Sequence, residues 1–278
     1  MSLSRSGPAL IAVSALFSIL GATRFAAAEP ELPNDTDVSL PCRPTIACTA
    51  DLVKPGSVEI ESGALYRRTR TSGPLHQGVW MFPVIAKLTL IEQLQLQLGS
   101  NGYSTTVSPP TERYLDDIVI TPKLHFLDQT KYLPSLSVSA ELSVPTFRAT
   151  GYLRNYDTFF TGYATKDFGP LHADLNAGVN VWAFDDHPAP QGFTALALSA
   201  PLPWPFGIMV EGYVFTDAQP VSRRDGGFLF ALSHSPKPWL VFDVGGDIGF
   251  YPSTHSFATF LGMTIVPVVL WRGKAKGL

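Results

Sequence analysis

The sequence predicts an all-β protein, specifically a transmembrane antiparallel β-barrel of about twelve strands, of the type found in outer membranes. Three observations carry that expectation. The chain is rich in helix breakers and poor in charge, apolar and polar residues alternate with period two in segment after segment, and each alternating segment runs about 9 to 12 residues. Of 278 residues, 45% are hydrophobic, 12% aromatic and 15% charged, the reverse of what a disordered chain needs. With 23 Gly and 24 Pro, only one interval after Gly56 exceeds eleven residues without either, Val84 to Leu98, so packed helices have nowhere to form.

Residues 1–28 carry Arg5, an apolar run from Ala9 to Leu20, and Ala26-Ala27-Ala28 before Glu29-Pro30, the three regions of a secretory signal peptide with cleavage expected after Ala28. The apolar core of about a dozen residues is short of the roughly 20 that span a bilayer. Removing it takes Arg5 and Arg24 and no acid from a chain of net charge -3, and no basic block remains to suggest nucleic acid.

Residues 29–56 follow as an N-terminal extension on the periplasmic side of the barrel. Cys42 and Cys48, close together in an exported chain, read as a disulfide that staples a short loop; a free or metal-binding pair is the weaker alternative, because no His lies nearby. The position of this extension and its cysteine pair raise the hypothesis that it plugs the barrel lumen.

The barrel is expected over residues 57–271. Alternation is clearest in Leu94 to Leu98, Leu136 to Val144, Leu171 to Val181 and Leu240 to Phe250, where one face is Leu, Val and Ala and the other Gln, Ser, Asn and Asp. Alternation and turn residues together mark twelve strands: Val58 to Arg67, Val79 to Leu88, Glu92 to Gly99, Asp116 to Phe126, Ser135 to Val144, Tyr156 to Lys166, Leu171 to Ala183, Gly192 to Ala200, Phe206 to Thr216, Gly226 to Ser235, Leu240 to Phe250 and Phe257 to Val268. Two apolar runs that invite a membrane-helix reading, Phe193 to Val210 and Phe257 to Trp271, are broken by Pro201, Pro203, Pro205 and Gly207, and by Gly262 and Pro267. Short connections, as at Pro236 to Trp239, alternate with longer ones at Ser100 to Leu115, Thr146 to Asn155, Phe184 to Gln191 and Asp217 to Asp225; in such barrels the short turns are periplasmic. Aromatics near strand ends, among them Tyr66, Trp80, Phe82, Tyr103, Phe126, Tyr152, Trp182, Trp204, Tyr213, Trp239, Phe250 and Trp271, fit interfacial girdles. Residues 272–278 form a tail beyond Trp271.

The faces expected to point inward carry Glu59, Glu61, Lys87, Gln93, Gln95, Gln97, Lys123, His125, Glu141, His172, Asp174, Asn176, Asn180, Glu211, Asp243 and Asp247. Such residues go inside because a charge on the lipid face costs a few kcal/mol near the midplane; they either form a hydrogen-bonded or hydrated lining, or select the solutes that pass. A hydrolase would need Ser137, Ser139 or Asn176 beside His125 or His172, but no Gly-x-Ser-x-Gly occurs, and no catalytic residue is expected. His187, His234 and His255 stand apart without metal-ligand spacing, so neither metal nor cofactor is expected, and Asp185-Asp186-His187 reads as solvated loop charge.

Several motifs resemble the bacterial outer-membrane family named for the meta-cleavage pathway of phenol degradation. Phe82-Pro83 through Gly99 is similar to that family's hairpin, Leu115-Asp116-Asp117-Ile118 through Lys123 to its Gly-Asp strand, and Pro134 through Pro145-Thr146 to its strand closing in Pro-Thr. Leu175-Asn176-Ala177-Gly178 and Val210-Glu211-Gly212 match two shorter signatures, so the resemblance covers roughly Trp80 to Phe250. It departs from the family at Phe147, where Gly is expected, and at the C-terminus, which lacks a terminal aromatic. The resemblance implies a passive outer-membrane transporter for small hydrophobic or aromatic compounds. Its partners would be outer-membrane lipid and lipopolysaccharide, a small apolar solute and the barrel-assembly machinery. The alternatives are a structural or surface-interaction barrel and a barrel-embedded lipid hydrolase.

Overall fold

Alternation resolves into antiparallel strands wherever the sequence shows it. The structure, a computed structural model, describes residues 31–70, 76–107, 111–146, 156–184, 187–203, 205–218, 224–251 and 257–272. The expected signal peptide with Ala28, residues 273–278 of the tail, Tyr152, Asp185, Asp186, Trp204 and His255 lie outside them. The strands are β1 (Ser57–Arg70), β2 (His76–Ile91), β3 (Leu94–Thr106), β4 (Arg113–Leu115), β5 (Ile118–Leu127), β6 (Ser135–Val144), β7 (Asp157–Phe168), β8 (Leu171–Phe184), β9 (His187–Pro201), β10 (Phe206–Phe215), β11 (Asp225–Lys237), β12 (Leu240–Gly249) and β13 (Phe257–Val269).

Each strand pairs antiparallel with its neighbours in the order β2-β1-β13-β12-β11-β10-β9-β8-β7-β6-β5-β3, and a further β2–β3 pairing closes the ring. The three residues of β4 add to the far end of β3 without joining the ring, which therefore has twelve strands. Closure leaves the twelve-strand ring without an open edge, the arrangement that lets a sheet stand in hydrocarbon.

The strands differ from expectation at one end. β2, β3 and β9 overrun the alternating segments, and the long loop expected at Phe184 to Gln191 is instead a continuation of the β8–β9 ladder, paired as far as Phe184 with His187. A hairpin that extends past the apolar outer face needs no apolar side of its own, so pairing continues where the sequence signal stops. On β3 the overrun bends at Gly102, whose φ of 69° lets both it and Tyr103 oppose Phe82; a Cβ there would lie 2.1 Å from the Phe82 carbonyl oxygen. The tight turns gather at the other end, at Glu92-Gln93, Gly169-Pro170 and Pro238-Trp239, beside the start of β1 and the end of β13. Gln93, expected inside, is exposed in the first of them.

The outer surface is an apolar belt in which Leu98, Val138, Phe160, Leu175, Val179, Leu196, Phe230, Val244 and Leu261 are all exposed. Period two turns the alternate residues inward. There Glu59 and Glu61 are 0% exposed, and Lys123, Asn176 and Glu211 no more than 2%. A water-filled lumen would leave such groups accessible, so something else occupies it.

Candidate functional site

The occupant is the chain's own N-terminal segment. The extension expected on the periplasmic side, and hypothesised to plug the lumen, runs into the ring, where wall side chains on seven strands offer its main chain polar partners. It starts at the short-turn end, where Glu31 bridges Val269 through paired backbone hydrogen bonds of 2.7 and 2.8 Å. Arg272 donates to Glu31 at 2.7 Å and to both Asp37 carboxylate oxygens at 3.1 and 3.2 Å. Burial alone would raise the Asp37 carboxyl; the Asn34 amide and the Arg272 guanidinium outweigh it and hold it below its usual range. The Asp37 contacts of this clamp are therefore complete above about pH 4 and are lost only as pH falls through that lowered value.

Deeper in, side chains from the wall grip the segment by its backbone. The first grip is a buried charge cluster. Glu59 and Lys87 are directly opposite across β1 and β2, and the Lys87 ammonium bonds Glu59 at 2.8 Å, Glu61, and the Leu40 carbonyl at 3.3 Å. Glu59 accepts the Leu40 amide at 2.6 Å, and Glu61 accepts the amides of Cys42 at 2.8 Å and Arg43 at 3.2 Å. Next, the Glu211 carboxylate on β10 takes the Ile46 and Ala47 amides at 3.0 Å each. In the amide orientation that satisfies both its polar atoms, Asn176 on β8 brackets the Cys48 peptide, accepting its N–H at 2.7 Å and donating to its carbonyl at 2.9 Å. Ala195 and Ala197 on β9 leave room for Ala47 to pack beside Tyr213.

The last grip uses β5 to β8. Lys123 donates to the Thr49 carbonyl at 2.5 Å, and Thr165 accepts the Ala50 amide at 2.7 Å while donating to Asp174 at 2.5 Å. Ser137, directly opposite His125, donates to the Ala50 carbonyl, and Ser135 donates to Asp51. The Cys42–Cys48 disulfide is formed, with the two Cα atoms 4.6 Å apart. The Arg43 guanidinium lies in the notch left by Gly63 and Gly262, paired across β1 and β13; a Cβ on Gly262 would lie 2.6 Å from Arg43 Nε and 2.7 Å from Asp243 Oδ2.

The remaining expected lining residues sit around this core. Gln97 donates to Gln95 at 2.9 Å, and Gln95 to Thr89 at 3.0 Å. Glu141 faces a cavity of about 280 Å³ beside the disulfide, Lys123 and Tyr163. His172 is only half-buried, at the short-turn end between Asp167 at 2.6 Å and Asp174 at 3.1 Å. Asn180 and Asp247 line a larger cavity of about 530 Å³ on the far side of the segment's tip, where Pro44 and Ile46 form its floor.

Sequence reasoning missed the character of that larger cavity. Its wall holds Leu65, Met81, Trp182, Phe215, Leu229 and Phe260, with Arg67 and Gln191 among them. Trp182 and Tyr213, read as girdle residues, point into it. Strands β9, β11 and β13 are apolar on both faces through most of their length, so alternation gives no sign of which residues turn inward. Exposed Trp80, Phe82, Tyr103, Phe126 and Phe250 do lie on the outer surface.

No family model matches the chain, and no curated protein matches it. Among solved structures it is similar to OprB of Pseudomonas putida in its low-pH form (7% identity, 75% of this chain and 91% of that one, TM-score 0.35) and to OccK11 (OpdR) of Pseudomonas aeruginosa (8%, 80% and 100%, TM-score 0.30), likenesses too loose to carry an argument. It is also similar to the COG4313 outer membrane channel from Pseudomonas putida F1, at 11% identity over 79% of this chain and 97% of that chain, with a TM-score of 0.56. What that likeness shows is the fold: a closed antiparallel barrel of the outer-membrane type.

Proposed function

We propose that the chain is an outer-membrane channel that passes a small hydrophobic or aromatic solute without an energy source. The observation that carries this reading is the 530 Å³ vestibule, the size of a small-molecule site, which offers Trp182, Phe215 and Phe260 to a ring and Arg67, Asn180 and Gln191 to a polar substituent. The COG4313 channel, similar in fold, is an outer membrane channel, and the resemblance to the phenol meta-pathway family points to the same solute class. On this reading residues 1–28 direct export and are cut after Ala28, the barrel-assembly machinery inserts the chain, lipopolysaccharide covers its outer rim, and the short turns face the periplasm.

The vestibule is tested by titrating the nanodisc-embedded protein with benzoate and following tryptophan fluorescence. Saturable quenching by benzoate, its absence with acetate, and at least a tenfold weakening in Leu229→Asp are expected. Equal, non-saturating responses to both anions would remove the solute-binding reading and favour a structural or surface-interaction barrel.

One observation favours a second reading, a barrel-embedded hydrolase. Ser137 Oγ lies 3.1 Å from His125 Nδ1, and His125 Nε2 lies 2.8 Å from Asp128. However, Ser137 is 2% exposed and gives its hydrogen to Ala50, which assigns the trio to holding the N-terminal segment. Fluorophosphonate labelling separates the two readings: no adduct on Ser137 is expected, and a stoichiometric adduct that Ser137→Ala abolishes would establish the hydrolase.

A further inference from the structure

Around the twelve-strand ring β8 is the sixth strand from β1 in either direction, so the two face each other across the lumen. Glu61 on β1 holds the Cys42 amide, and Asn176 on β8 holds both polar atoms of the Cys48 peptide. The Cys42–Cys48 bridge draws those two peptides together, with Cα atoms 4.6 Å apart, so the tie that crosses the barrel from wall to wall is shortened from the 43–47 main chain to one disulfide bond. Beside it, Glu211 fixes Ile46 and Ala47, the floor of the vestibule. The sulfurs are not sealed in: both cysteines line the 280 Å³ cavity together with Gln97, Asn101 and Glu141.

We propose that the Cys42–Cys48 disulfide is the clasp that keeps this lumen-filling segment in its closed arrangement, and that a dithiol reductant opens the channel by breaking it. The inference rests on the channel reading above. In the opening step, one thiolate of the dithiol attacks a cysteine sulfur and forms a mixed disulfide as the S–S bond breaks. The other cysteine leaves as a thiolate and takes up a proton. The second thiol then attacks the mixed disulfide and frees the first cysteine, so the dithiol is oxidised to its own disulfide while Cys42 and Cys48 gain two electrons and two protons. The grips of Glu61 and Asn176 are then joined only through the 43–47 main chain, and loop 42–48 regains the conformations that the bridge denied it.

The test is conductance in planar bilayers of the full-length chain and full-length variants, each first shown to be folded by heat-modifiable migration. The oxidised chain is expected to conduct at least tenfold less than Asn176→Ala/Glu211→Ala. Dithiothreitol should raise its conductance toward that of the variant, and Cys42→Ser/Cys48→Ser should conduct without reductant and not respond to it. If the oxidised chain conducts as well as Asn176→Ala/Glu211→Ala, there is no plug, while the channel reading stands. If dithiothreitol changes nothing, or the serine pair stays as closed as the oxidised chain, the clasp is overturned. If no folded form conducts at all, the channel reading falls and takes the plug with it.

Discussion

Lys87→Met is expected to destabilise the folded barrel by about 3–5 kcal/mol, the cost typical of removing one partner from a buried ion pair. Methionine is nearly isosteric with lysine, so packing changes little, but Glu59 and Glu61 are left as two carboxylates buried without their cation. The loss spreads to the plug, since those carboxylates hold the Leu40, Cys42 and Arg43 amides. Urea unfolding in lipid vesicles, read by loss of the fast-migrating gel band, should show the deficit, and the segment before residue 50 should become sensitive to protease. A deficit below about 1 kcal/mol, the scale of an exposed pair, would mean that the cluster is hydrated and the lumen open.

The second large effect belongs to the outer face. Phe230 is exposed near the middle of β11, and Phe250 is exposed just past the end of β12. If the belt meets lipid, Phe230→Arg should cost about 2–4 kcal/mol, as Arg does at a bilayer midplane, and Phe250→Arg about 0–1 kcal/mol, as near an interface. A protein whose belt faced water would tolerate arginine equally at both positions. Equal costs, measured in the same vesicle unfolding experiment, would therefore contradict the membrane assignment.

The contrast between these two sites shows what the sequence makes legible. In Leu94 to Leu98 or Leu171 to Val181, one residue placed on the right face fixes every other, because side chains alternate along a strand wherever no bulge interrupts it. The expected strand Ser135 to Val144 coincides with β6, and all others except β3 and β9 lie within three residues of expectation at either end. The inward placement of Glu59, Lys87, Lys123, Asn176, Glu211 and Asp247 follows from the same rule.

What those groups do inside could not be read. Glu211 meets Ile46 across a separation of 165 residues, and no local pattern reports a carboxylate whose partner is another segment's backbone. The cysteine pair and the position of 29–56 suggested a plug, but not that wall side chains would hold it by its amides and carbonyls. Ala195, Ala197, Leu229 and Phe260 were hidden for the opposite reason. A strand apolar on both faces has no period, so the greasy half of the lumen looked like more lipid surface.

The strands form one closed wall, and on the proposed reading that wall spans the outer membrane. The direct measurement is migration on a denaturing gel, with and without boiling, of the protein from outer-membrane fractions. A closed barrel resists the detergent until heated, so the unboiled protein should run faster than the boiled one and should be found in that fraction. A single mobility before and after boiling, with the protein absent from the outer membrane, would contradict the account.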